Sequence, residues 1–170
     1  MLASCDNEND ADWPTTQAFF SEWQQLSGGH PLIMYSGGWW WNSRGWNGAS
    51  LTPYLWQSKY LWDSAASASL RGYASSMYQS VPQSWWNPGY GGWERATILQ
   101  FSSRGIVQGR DIDVNAFEGS LSQLKSLTSK DGGAMALEGY DGFSAERALY
   151  MLYTALATDN STITSVHVAD

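Results

Sequence analysis

The feature that most restricts how this chain can fold is its opening, which reads strand, helix, strand with short connections. "MLASCD" fits a short strand running into an acidic loop. "DADWPTTQAFFSEWQQLSGG" then reads as a helix with Asp12 or Trp13 at the cap and Pro14 in the first turn. Phe19, Trp23 and Leu26 share one predicted face, and Gly28 and Gly29 form the stop. "HPLIMYSGG" follows as a continuous apolar run from Leu32 to Tyr35, bounded by Pro and Gly, the pattern of a buried parallel strand. Parallel neighbours need a crossover, so this βαβ order points to an α/β sheet or barrel.

The later pattern is looser. Residues 54 to 62, "YLWQSKYLW", form an aromatic strand candidate, and "SAASASLRGYASSMYQSV" suits a helix or a loop. "RATILQFSS", 95 to 103, reads as a strand, and "RDIDVNAF" as a further short one whose continuation sets Phe117, Leu121, Leu124 and Leu127 at helical spacing. "TSKDGGAMALEGYDG" has the composition of a linker. "SAERALYMLYTALATD" then predicts an amphipathic helix behind a Ser144 cap, with Ala145, Leu149, Leu152, Tyr153 and Leu156 on one face. The predicted organisation is a domain over 1–127, a linker over 128–142, and a helical tail or the start of a further module over 143–170.

Composition narrows the function classes. With 170 residues, 43% of them hydrophobic, the chain can bury one core. Net charge is -7 and the nine basic residues are scattered, so no stripe offers itself to phosphates and nucleic acid is not an expected partner. Cys5 is the sole cysteine, which excludes an intrachain disulfide and cysteine-based metal sites. No membrane span or signal peptide is visible. All eleven Trp lie between Trp13 and Trp93. Clustered among Gly, Ser and Asn, as in "GGWWWNSRGWNG", they suit the flat faces that sugar rings require; filling a core is the other use of such rings.

Acidic residues supply the chemistry. Residues two apart on a strand share a face, roughly 7 Å apart, so Asp6 and Glu8 in "CDNEND" can converge at the end of the first strand. Glycosidic cleavage needs such a pair: a carboxylic acid to protonate the leaving oxygen and a carboxylate to support positive charge at the anomeric carbon. Solvated surface charge is the plainer explanation of the same run. An EF-hand reading of Asp6, Glu8, Asp10 and Asp12 fails because Ala11 and Gln17 stand where the loop needs Gly and Glu. Asp111 and Asp113 form a second pair, with Arg110 positioned to neutralise Asp111. His30 and His167 lack suitable neighbours, so no metal site or Ser/His/Asp triad is expected, and no cofactor.

Several ordered motifs carry a family resemblance. Trp93, "LQFSS" at 99–103, "GIVQG" at 105–109 and "DVNAF" at 113–117 resemble the closing strands of the glycoside hydrolase family 25 muramidases, the lysozymes common among phage endolysins and bacterial autolysins. "LWQSKY" at 55–60 and "HPLIMYSGGWWW" are similar to earlier strands of that family, and "SCDNEND" falls at its acidic strand end. Leu99 and Phe101 replace a usual Trp and Tyr, and Asn7 occupies a commonly apolar slot, which predicts a weaker strand.

The resemblance implies a (β/α)8-like, TIM-type barrel of which this chain carries about the last five strands, with a C-terminal helical appendage. It implies cleavage of the β-1,4 bond between N-acetylmuramic acid and N-acetylglucosamine in the bacterial cell wall, with retention of configuration and the substrate's acetamido group as a candidate internal nucleophile. By position Glu8 matches the acid/base, and Asp6 and Asp113 match carboxylates that orient or stabilise the reacting sugar. Tyr35, Trp56, Tyr60, Gln100 and Phe101 would surround the cleft at strand ends. Three βα units and a first-strand aspartate of the family have no counterpart, so the expected partners are peptidoglycan glycan strands and a missing N-terminal half of the barrel. The alternative expectation is a non-catalytic wall-binding or glycan-binding protein that keeps an aromatic cleft.

Overall fold

A computed structural model of the chain describes residues 3–7, 12–127 and 149–154. Strand β1 (Ala3–Asp6), helix α1 (Trp13–Leu26) and strand β2 (Leu32–Ser36) form the expected parallel unit, with Asp6 opposite Tyr35. Asp12 caps α1, its Oδ1 accepting from the Thr15 N–H at 2.7 Å, and Pro14 occupies the first turn.

The buried face of α1 is rotated from the predicted one. Thr16 and Phe20 are buried and Trp13 and Trp23 half-buried, whereas Phe19 and Leu26 are 46% and 76% exposed. Positions 13, 16, 20 and 23 keep helical spacing, but Thr16 breaks the apolar stripe in the sequence. It is inside because it meets a polar partner. Asn7 is buried and donates from Nδ2 to Thr16 Oγ1 at 3.2 Å, and Thr16 Oγ1 in turn donates to the Asp12 carbonyl at 2.8 Å. Ser36 Oγ also donates to the Asn7 carbonyl, at 2.9 Å. Rather than weakening the strand, Asn7 ties β1 to α1 and β2, since a buried polar group is tolerated when its hydrogen bonds are made.

Next come α2 (Gly38–Trp41) and β3 (Leu55–Ser58), then a two-stranded ribbon of β4 (Trp62–Asp63) and β5 (Ala68–Ser69), then α3 (Ala74–Tyr78). Strand β6 (Ile98–Val107), strand β7 (Arg110–Glu118), helix α4 (Leu121–Ser126) and strand β8 (Leu149–Thr154) complete the order. Phe117 belongs to β7 rather than to the helix that follows, which starts behind a Ser120–Gln123 capping box.

The six-stranded sheet runs β1-β2-β3-β6-β7-β8, parallel from β1 to β6 and antiparallel thereafter, and it is not closed. A wholly parallel run of five strands is therefore corrected at β7. Gln108 and Gly109, at φ 50° and 78°, make a two-residue turn that joins Val107 to Arg110. Such a turn returns the chain at once, and only an antiparallel hairpin can result. The predicted C-terminal helix is corrected over Leu149–Thr154, which pair as β8 with β7. That stretch is a contiguous apolar and aromatic run, and the outer edge of β7 offers it N–H and C=O groups. The rest of the predicted linker, helix and tail lies outside the described residues.

The tryptophans build core rather than surface. Trp40, Trp41, Trp86 and Trp93 are buried, while Trp39 and Trp62 are exposed. Trp41 sits at the hub: its ring lies 6.0 Å from Trp13, 4.9 Å from Trp40 and 5.1 Å from Trp93, all edge to face, and stacks at 6.2 Å on Tyr90. Trp13 stacks on Trp46 at 5.4 Å, and the Arg44 guanidinium lies 4.4 Å from the Trp40 ring centre. "GGWWWNSRGWNG" is thus mostly an aromatic clamp joining α1, α2 and the loop before β6. Gly48 fits it closely, since a Cβ there would overlap the Trp93 ring and come within 2.7 Å of Trp41 Cη2. Trp41→Ala should lower unfolding free energy by about 3–5 kcal/mol and Gly48→Ala by about 1–3 kcal/mol. Denaturant melts followed by near-ultraviolet circular dichroism measure both, and wild-type midpoints would refute the clamp.

Candidate functional site

Alternation along each strand and the register between strands assemble one face. Asp6 lies opposite Tyr35, Tyr35 opposite Trp56, Ser58 opposite Gln100, and Gln100 opposite Asn115. Because directly opposed residues share a face and the period is two, Asp6, Tyr35, Trp56, Gln100 and Asn115 all project the same way. Asp113, two residues before Asn115, joins them. Ile33, Ile98 and Phe117, one step toward the starts of the parallel strands, pack with Leu127 as an apolar floor. The polar row therefore stands at the C-terminal ends of β1 and β2 and, on β6, at Gln100, where the parallel pairing with β3 stops.

Gln100 organises this row. It is 3% exposed, and its Oε1 accepts from the Tyr35 hydroxyl at 2.6 Å and the Tyr60 hydroxyl at 2.7 Å. Its side chain is also hydrogen-bonded to Asp113. Trp56 reaches across β6 to donate from Nε1 to Asn115 Oδ1 at 2.8 Å, and its ring meets Tyr35 edge to face at 5.5 Å. Partial burial raises the pKa of Asp6 and of Asp113 above the ordinary range, the latter opposed in part by the Gln100 hydrogen bond. Cys5, behind Asp6 on the opposite face, is pushed up to about 11 by burial and by the Asp6 charge, so its thiol stays protonated at neutral pH.

Among the predicted site residues, Asp6, Tyr35, Trp56, Tyr60, Gln100 and Asp113 come together. Glu8 lies outside the described residues. Phe101 is a correction: it is fully buried on the opposite face, 5.5 Å from the Tyr78 ring, because it alternates with Gln100. Asp111 is held by Arg71 at 2.7 Å and Arg104 at 3.6 Å, rather than by its neighbour Arg110. Asn115 was missed by sequence reasoning, although its period-two spacing from Asp113 could have found it. Also missed was a groove of 710 Å³ beyond β3, lined by Trp39, Asn42, Lys59, Trp62 and Trp85 together with Tyr60. These residues come from separate short elements and the connections between them, and share no period.

Among the described residues no three His, Cys, Asp or Glu side chains gather in a way that could hold a metal ion. No helix among them is long and apolar enough to cross a membrane. No family model matches the chain, and no curated protein or solved structure matches it.

Two outcomes follow from the electrostatics of the row. A carboxyl whose pKa is raised on folding binds its proton more tightly in the native state, so stability falls as pH rises through the native pKa. Asp113→Asn should therefore melt higher than the parent at pH 7, and the difference should vanish once pH drops below the ordinary value of 3.8; calorimetry across pH would show the opposite trend if Asp113 were stabilised as an anion. Gln100→Leu removes the acceptor shared by Tyr35 and Tyr60 and the bond that restrains Asp113. It should cost about 1–3 kcal/mol and move the Asp113 titration further upward, as read by carboxyl carbon NMR.

Proposed function

We propose that the chain is a peptidoglycan hydrolase of the muramidase type, and that its open sheet is the later part of a (β/α)8-like barrel. The observation that carries the reading is the row at the C-terminal edge of a parallel sheet in which the buried Gln100 amide ties Tyr35, Tyr60 and Asp113 together and Asp6 lies opposite Tyr35. Barrel enzymes keep their chemistry at that edge, and the same residues are those that carry the family resemblance.

In this reading Glu8 donates a proton to the glycosidic oxygen as the bond to the anomeric carbon breaks. Asp6 and Asp113 support the positive charge that develops there and orient the acetamido group, and water then adds at the anomeric carbon, supplying the product hydroxyl and returning its other proton to Glu8. Tyr35 and Tyr60, fixed by Gln100, line the approach with phenol groups, and Trp56 offers a ring beside them.

A second reading, a non-catalytic glycan-binding protein, is favoured by one feature. Trp39 and Trp62 are 56% and 65% exposed on the groove beside the row, so aromatic contact area is present apart from the acids. Turbidity clearing of purified cell walls, with assay of new reducing ends, separates the two. Glu8→Gln should lower clearing by at least about 100-fold, within the usual contribution of a general acid, and Asp6→Asn should lower it as well. Equal clearing by Glu8→Gln and the parent would remove Glu8 as the acid. Retention on peptidoglycan with no clearing by the parent would select the binding reading.

A further inference from the structure

The exposed indoles that favour the glycan-binding reading would serve any flat ligand, and the rest of the groove beyond β3 decides which one. Its volume of 710 Å³ suits a small molecule. Gln57, 1% exposed, contributes to the lining, and its Nε2 donates to the Trp85 carbonyl, which leaves Oε1 as the unmatched end of the amide. The Tyr90 hydroxyl of the same lining is also buried without a hydrogen-bond partner. Burial drives the Tyr90 pKa upward, so the hydroxyl keeps its proton and stays a donor. Buried polar atoms in native proteins are rarely left unmatched. An orphan acceptor and an orphan donor in one groove point to a ligand that carries one group of each kind.

The walls narrow the choice. Trp39 and Trp62 leave more than half of their surface to solvent, an arrangement that needs a reason for side chains of this size. Gly37 permits the position of Trp39: a Cβ there would overlap the indole nitrogen and lie 2.9 Å from the Ser58 carbonyl oxygen. The Tyr60 ring, centred 6.1 Å from Trp62, continues the aromatic wall. Lys59, with Nζ 5.1 Å from the Trp85 ring centre, is the one charged side chain among the described residues lining the groove. A cation with no carboxylate set against it there complements an anion. The same lack of Asp and Glu in the described lining counts against a saccharide, whose rim of hydroxyl protons calls for acceptor-only side chains. Gln57 Nε2 and the Tyr60 hydroxyl are moreover engaged inside the protein, which leaves few polar groups against several rings. Such a lining matches a ligand that is flat and apolar over most of its surface, with an acid at one end.

We propose that this groove binds an aromatic acid: a flat ring that carries a carboxylate on a short arm and an N–H or O–H on the ring itself. The ring lies against Trp39 and Trp62, the carboxylate accepts from Lys59, and the ring N–H or O–H donates to Gln57 Oε1, with the Tyr90 hydroxyl as a second donor to the ligand. The assignment uses neither Asp6 nor Asp113, so it stands apart from the muramidase reading.

The test titrates the full-length chain with indole-3-acetate and three relatives that each lack one feature, following the indole N–H signals of the protein by NMR. Indole-3-acetamide lacks the charge and should bind about two- to fivefold more weakly at low salt, the range of an exposed ion pair, with the difference fading at about 1 M salt. 1-Methylindole-3-acetate lacks the ring N–H and should bind about two- to tenfold more weakly. Cyclohexylacetate lacks the flat ring and should bind roughly tenfold more weakly. Lys59→Gln should abolish the preference for the acid over the amide while leaving the amide's affinity as it was. Trp39→Ala and Trp62→Ala, both at exposed positions, should weaken the acid and the amide by roughly fivefold, with melting temperatures near the parent's confirming that they fold. An acid preference that survives Lys59→Gln overturns the proposal, as does equal binding of the cyclohexyl or the methylated relative, or unchanged affinity in both Trp variants. Neutral cellotetraose is titrated alongside. If it shifts the same signals and binds more tightly than indole-3-acetate, the groove belongs to a glycan and the aromatic acid is ruled out.

Discussion

Strand β6 is the element on which the rest depends, because it is paired along both edges, parallel to β3 and antiparallel to β7. Pairing on both sides pins its register, and a period of two then sends Leu99 and Phe101 into one core and Ile98 and Gln100 to the other face. A slip of one residue would exchange these sets, burying an amide among the tryptophans and exposing a phenyl ring. The irregularity in the β6–β7 ladder after Gln100 adds a local bend just where the row of polar side chains ends.

Around that strand the aromatic excess is divided between two tasks. Trp13, Trp40, Trp41, Trp46 and Trp93 pack with one another, and they do so where the chain has little regular structure to offer: α2 is a single turn and the loop before β6 is irregular. Edge-to-face contacts between large rings compensate for that, since each ring buries much area while restricting few torsions. Trp39 and Trp62 remain on the surface and define the groove.

Charge is arranged in a similarly segregated way. Among the described residues, the ion pairs join Arg71 and Arg104 to Asp111 and Arg95 to Glu118, at the two ends of β7. Asp6 and Asp113 stand on the polar row instead, where partial burial leaves each carboxyl easier to protonate than in water, for Asp113 against the opposing Gln100 hydrogen bond.

Local chemistry made much of the framework legible: Asp12 as cap, Gly28 and Gly29 as stop, the apolar run of β2, and the alternation that put Gln100 and Asp113 on strands. These depend on neighbours in sequence, and so does the parallel order of β1 and β2, which short connections force. What sequence alone did not determine were choices made by distant partners. Thr16 is inside because Asn7 waits for it, and residues 149–154 extend because β7 has a free edge. Trp40 and Trp41 face inward because Trp13, Tyr90 and Trp93 arrive from other segments, and Phe101 turns from the site because Gln100 is held by two tyrosines. A residue's face is a property of the surface it packs against, and only the tertiary structure supplies that surface.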